Sequence, residues 1–401
     1  MVYNRNEPGN AWDYYSAAME KSKNIKLTII LERYLGGSSG ITPEILQSIK
    51  DNEDAIEKFK EGARQKFCSI PYDYSKGVGI KIPDFMTLKR ITEITCMKSL
   101  MELENGKNEK TLDDILSVAV VGKHIANSAP NVFNQMIGIV FFGQAMKVLK
   151  TGLSADVFNL TELNVVSDSL SSLEKSFPML ASGLDGEKKL WKISVANLPF
   201  YESENGFAGL FFYENKMPSV FEHIVFRFYC WRYLFSPRLA ALRSFKYMDN
   251  IVDGMKELEN SYTQGDKKGK KYSKMENLLL GNAKNYAVKN PIFSTMFPNF
   301  FSMYNRKADT ITRIRILQLS CSIRSYFNEN HHFPQNLEEI RGNDDIITDL
   351  NTGKLWNYTS YGDSAAIFSQ GPSITDTSDD VSITLTTLGI KEYFSKMRKS
   401  K

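Results

Sequence analysis

The sequence predicts an α+β protein: a mostly helical region over residues 1–305, then a long helix followed by a small antiparallel sheet over 306–390, then a basic tail at 391–401. Three observations carry this. Apolar residues at helical spacing, joined to cap signals, fill most of the first 150 positions. Thr310 to Phe327 carries a wide apolar arc at the same spacing. Beyond Asn343, turn residues alternate with short strand-like runs.

Trp12, Tyr15 and Met19 fall on one side of a helix that follows Pro8 and Gly9. Thr42-Pro43-Glu44 opens the next, with Thr42 as N-cap, proline at the first position and an acid in the first turn. Ile45, Ile49, Ile56 and Phe59 continue its apolar side. Pro71, Gly77, Gly79 and Pro83 punctuate the chain before a helix from about Phe85 to Leu103, which Glu104-Asn105-Gly106-Lys107 ends. Thr111-Leu112-Asp113-Asp114 has capping-box spacing and is expected to open a long apolar helix, antiparallel to the one before. The most apolar run, Met136 to Gly143, soon meets Gln144 and Lys147, which predicts a buried helix and no transmembrane segment.

Leu160 to Phe177 reads as a helix stopped at Pro178, while residues 152–214 as a whole are irregular, and Gly206 to Tyr213 fits a strand or an ordered loop. Helix returns from Phe221 to Leu258 with a break near Pro237, and the basic run Gly265 to Lys271 reads as a solvated connector. In the last part Ile316, Leu319, Ile323, Tyr326 and Phe327 share one helix face and Ile314, Leu317 and Cys321 a neighbouring one, so this helix is buried on more than one side. Strand-like Leu355 to Tyr358 and Ala365 to Phe368 lie between turns at Asn343-Asp344-Asp345, Asn351-Thr352-Gly353 and Tyr361-Gly362-Asp363.

Of 401 residues 42% are hydrophobic, with 25 Phe and 19 Tyr, which excludes a disordered or collagen-like chain and provides for a sizeable core. Fifty Lys and Arg against 46 Asp and Glu leave a net charge of only +4, so no nucleic-acid partner is expected. The four cysteines, Cys68, Cys96, Cys230 and Cys321, form no C-x-x-C pair and are expected as buried free thiols. The first ten residues lack the apolar stretch of a signal peptide, which fits a cytoplasmic chain or one whose targeting segment or membrane anchor lies upstream.

The segment Tyr326-Phe327-Asn328-Glu329-Asn330-His331-His332-Phe333-Pro334-Gln335-Asn336-Leu337-Glu338-Glu339-Ile340 resembles the stretch that closes the long helix of type II secretion major pseudopilins. Thr348 to Tyr358 is similar to their aspartate- and tryptophan-bearing hairpin, and Ala366-Ile367-Phe368-Ser369-Gln370-Gly371-Pro372 with Asp379-Asp380-Val381 to their final loop and strand. This likeness covers about Thr310 to Leu385. A more diffuse one spans most of the chain: Asn10 to Ala18 and Leu112 to Ala119 resemble segments of a family of uncharacterised, planctomycete-like bacterial envelope proteins that carry such a module behind a helical region. The hydrophobic anchor helix of pseudopilins has no counterpart before Thr310. In pseudopilins the last loop binds calcium. The resemblance therefore implies a calcium loop at Asp376, Ser378, Asp379 and Asp380, whose oxygens suit a hard cation, set against an ordinary acidic surface turn. It implies no other cofactor and leaves the protein partner unspecified.

Other candidates for chemistry are few. Gly36-Gly37-Ser38-Ser39-Gly40 matches the spacing of a hydrolase nucleophile elbow, which makes Ser38 the nucleophile of a rival reading; a loop before Thr42 explains the glycines as well. His331-His332 lacks a third ligand at metal spacing and reads as a turn, while His124 and His223 read as core histidines. Asp113-Asp114 and Glu338-Glu339 are expected in helix first turns, where the dipole favours carboxylates. No catalytic residue is assigned. The resemblance implies a non-enzymatic structural or protein–protein interaction component of the cell envelope, with a serine hydrolase and a cytoplasmic helical scaffold as rivals.

Overall fold

The computed structural model describes residues 7–23, 34, 42–197, 237–263, 300–340, 346–349, 354–369 and 381–399. These residues are mostly helical with a small antiparallel sheet, so the α+β class holds. The chain opens on β1 (Glu7–Asn10), which pairs in parallel with β2 (Gln65–Phe67). Asn10 then caps α1 (Ala11–Lys21), its side chain accepting from the amides of Trp12 and Ser69 and donating to the Ser69 carbonyl. Nothing in the sequence signals the strand pair, because strands this short carry no alternation to read.

α2 (Pro43–Asp51) has proline at its first position, but Thr42 makes no side-chain cap bond and its side chain pairs with Glu44 instead. Asn52 separates it from α3 (Glu53–Ala63), where the apolar spacing reads as one helix. α4 (Phe85–Glu104) is capped by Asp84, which accepts from the Thr87 amide, and it ends at Gly106, whose φ of 71° side chains rarely tolerate. α5 (Asn108–Asn127) begins three residues before the expected box. Thr111 lies inside it with its hydroxyl donating to the Lys107 carbonyl, so that box does not form and Asp113 and Asp114 fall beyond the first turn. The box that does form joins Asn159 and Glu162 at the start of α7 (Leu160–Ser176), which stops before Pro178 as expected.

α6 (Val132–Ser154) lies backbone to backbone against α5. A Cβ on Gly138 would collide with the Gly122 carbonyl oxygen and stand 2.7 Å from Ala126 Cβ; one on Gly122 would stand 2.8 Å from the Gly138 carbonyl oxygen. α6 is long and apolar enough to cross a membrane, and here most of it is buried among neighbouring helices. α8 (Leu180–Asn197) and α9 (Pro237–Thr263) pack on each other. α10 (Phe300–Asn330) is the spine of the C-terminal part and packs on α6 and α7. It starts ten residues before Thr310, so the expected boundary near 305 falls inside it.

β3 (Asn357–Ser360), β4 (Ser364–Ser369) and β5 (Val381–Thr386) form an antiparallel meander in that order, with Tyr358 opposite Ile367 and Ile367 opposite Ile383. Alternation sends Ala365, Ile367, Val381, Ile383 and Leu385 inward, and β5 rests on α10 and α6. Gly362, at φ 76°, makes the turn between β3 and β4. Within the basic tail, α11 (Ile390–Lys399) buries Ile390 and Phe394, and the Phe394 ring lies 5.3 Å from that of Tyr34. One apolar core runs from Ala11 to Phe394.

Candidate functional site

Asp376, Ser378, Asp379 and Asp380 lie outside the described residues, as do Ser38 with its glycines, His223, Cys230, the aromatic run at 206–213 and the basic run at 265–271. β5 starts directly after Asp380, so the acidic stretch joins two neighbouring strands. Among the described residues no group of three or more His, Cys, Asp or Glu is placed to hold a metal ion. Cys68, Cys96 and Cys321 are buried free thiols, as expected. Burial pushes Cys68 up to about 12 and the other two higher, so none is a thiolate nucleophile at neutral pH.

His124 sits in the core, its Nδ1 2.7 Å from the Tyr15 hydroxyl. A further bond to the Gln65 backbone supports the charged ring, so it is donated by the ring and leaves Nδ1 to accept from Tyr15. Burial, aided by Lys123, still pulls His124 down to about 4, which keeps it neutral and unsuited to trade protons near pH 7. His331 takes a φ of 61° in the turn after α10, and the His332 ring packs edge-on to Tyr326 at 5.6 Å.

Three buried charge clusters join separate elements. Asp114, with no exposed surface, is paired with both Lys60 and Lys98, and Lys60 reaches Asp113 at 2.7 Å, tying α3, α4 and α5 together. Glu259 of α9 accepts from the Leu180 and Ala181 amides at the start of α8 and from Lys307 of α10, whose ammonium also donates to the Pro178 carbonyl. There the free amides of a helix N-terminus take a carboxylate, as Glu187 does for Val132 and Phe133 at the start of α6. At the other end of α6, Arg324 donates to the carbonyls of Leu153 (3.0 Å), Ser154 (2.9 Å) and Thr386 (2.6 Å), with its guanidinium over the Phe333 ring. Thr386 adds a hydroxyl bond to the Ser154 carbonyl. Burial lowers the pKa of Arg324, and Asp156, 3.6 Å away, opposes that. The sequence held a signal for Arg324 that was easily overlooked: it stands three residues after Cys321 and seven after Leu317, on the buried face.

A cleft of about 820 Å³ lies between α7, α10 and the short turn Leu337–Glu339. Its floor is Leu163, Cys321 and Ile340, all buried. Ser167, Ser322, Ser325 and Tyr326 form its walls, and Asn164, Glu329, Asn330 and Glu338 its exposed rim. Glu339 belongs to it as well, but accepts from the Tyr326 hydroxyl (3.0 Å), the Gln335 amide (3.2 Å) and Asn336 Nδ2 (3.0 Å). The Glu338-Glu339 pair thus sits in a 3-10 turn, with Asn336 as its cap.

No protein-family model matches the sequence, and no curated protein or solved structure matches the chain.

Proposed function

We propose that this protein is a non-enzymatic structural or protein-interaction component of the bacterial cell envelope, in which residues 306–390 act as a pseudopilin-like binding or assembly unit. The observation that supports this is how the residues of the pseudopilin-like segments are used. Phe333, just past the end of α10, stacks on Phe327 at 4.6 Å. Tyr358 donates its hydroxyl to the Pro334 carbonyl (2.8 Å), and Trp356 donates its indole N–H to the Ile346 carbonyl (2.8 Å). Together these close the meander onto the helix end. The residues that prompted the resemblance therefore serve a spine-and-meander unit, and the buried charges beside it bind helix ends. On this reading the acidic stretch before β5 is the calcium loop of the unit.

The reading is tested in the native host with a C-terminally tagged full-length chain. Protease added to cells with a permeabilised outer membrane should remove the tag while a cytoplasmic marker survives. Equal protection of tag and marker would overturn the envelope assignment.

A further inference from the structure

We infer that the cleft between α7 and α10 is a binding site for a neutral, polyhydroxylated ligand, an oligosaccharide of two or three rings. Its volume of about 820 Å³ lies within the ~300–1,000 Å³ range of small-molecule sites. A nucleotide, phosphate or acidic glycan is disfavoured, because the charged side chains lining it are carboxylates with no lysine, arginine or histidine among them. A cation is disfavoured too. The inward carboxylate, Glu339, already accepts three hydrogen bonds, and Glu329 and Glu338 stand exposed on the rim, where water screens them. Apart from Glu339, what faces the interior is neutral and hydrogen-bonding. The hydroxyls of Ser167 and Ser325 are half-buried on facing helices, and among the described residues neither they nor the Asn164 amide has a hydrogen-bond partner. A hydroxyl can donate and accept at once, which matches the donor and acceptor pairs of a sugar ring. The Leu163–Cys321–Ile340 floor suits the ring's C–H face, which gains by leaving water. The inference does not depend on the envelope assignment, since it rests on the cleft alone.

The test is saturation-transfer NMR and calorimetry on the full chain with maltotriose, cellotriose and chitotriose, using spermine and inositol hexaphosphate as charged controls. At least one trisaccharide should bind, with both controls silent. Ser167→Ala/Ser325→Ala should weaken it roughly tenfold, the loss expected for two hydrogen bonds. Ser325→Trp should abolish it by filling the cleft. If the tryptophan variant does not fold, the paired alanine variant decides alone. Binding of a control in preference to every sugar, silence of all three sugars at millimolar concentration, or unchanged affinity in the folded variants would overturn the inference.

Discussion

The backbone-to-backbone approach of α5 and α6 yields a paired test on one helix. Gly138 and Gly143 both belong to α6, and alanine is favoured over glycine inside a helix by about 1 kcal/mol. At Gly143 a Cβ would meet nothing within 4 Å, so Gly143→Ala should collect most of that gain and stabilise by about 0.5–1 kcal/mol. At Gly138 the same methyl would meet the Gly122 carbonyl, with Ala126 Cβ at 2.7 Å and Ala126 N at 2.8 Å, two of these being backbone atoms that cannot rotate aside. Overpacking of that kind costs roughly 1–3 kcal/mol, so Gly138→Ala should destabilise by up to about 2 kcal/mol after the helix gain is subtracted. The variants should bracket the parent in urea unfolding followed by circular dichroism, with midpoints displaced in opposite directions. A Gly138→Ala protein as stable as Gly143→Ala would refute the backbone contact between α5 and α6.

Arg324→Met leaves the Leu153 and Thr386 carbonyls without their donor and should cost roughly 3 kcal/mol in the same unfolding assay; an unchanged midpoint would show that Arg324 does not hold β5 to the end of α6. Because His124 is depressed from 6.5 to about 4, the unfolded chain takes up a proton that the fold refuses, so stability falls as pH drops through that window. The loss between pH 6.5 and 5.0 should be about 1.5 kcal/mol and should vanish in His124→Gln; equal pH slopes in the two proteins would sink the assignment. Calcium titrated into the full chain by calorimetry should give a binding signal that Asp379→Asn/Asp380→Asn removes, and absence of heat in the parent would end the calcium proposal.

The parts of the fold that sequence displays are those in which one residue type has one physical reason to be where it is. Pro178 can only stop α7, Gly106 is tolerated where φ turns positive, and Ala365, Ile367, Ile383 and Leu385 alternate because a sheet face does. Thr111 misled because a threonine followed three residues later by an acid fits both a cap and a helix interior. The decisive partners of Asp114, Lys60 and Lys98, come from other helices and leave no local trace. Glu259 and Lys307 were hidden for the same reason: their bonds run between helices far apart in sequence. The start of α10 was missed because Asn305, Arg306, Lys307 and Asp309 interrupt its apolar arc. The cleft is also a meeting of distant segments, and its serines look in sequence like ordinary helix surface.

The pairing of Phe394 with Tyr34 has a consequence for biosynthesis. The partner of Tyr34 emerges from the ribosome about 360 residues later, a delay on the order of 20–70 s at ordinary translation rates. Throughout that interval the nascent chain carries an unsealed apolar seam along α4, where α11 will later lie. Completion of the fold therefore waits for α11 to leave the ribosome, and premature termination before Ile390 would release a chain prone to chaperone capture or aggregation.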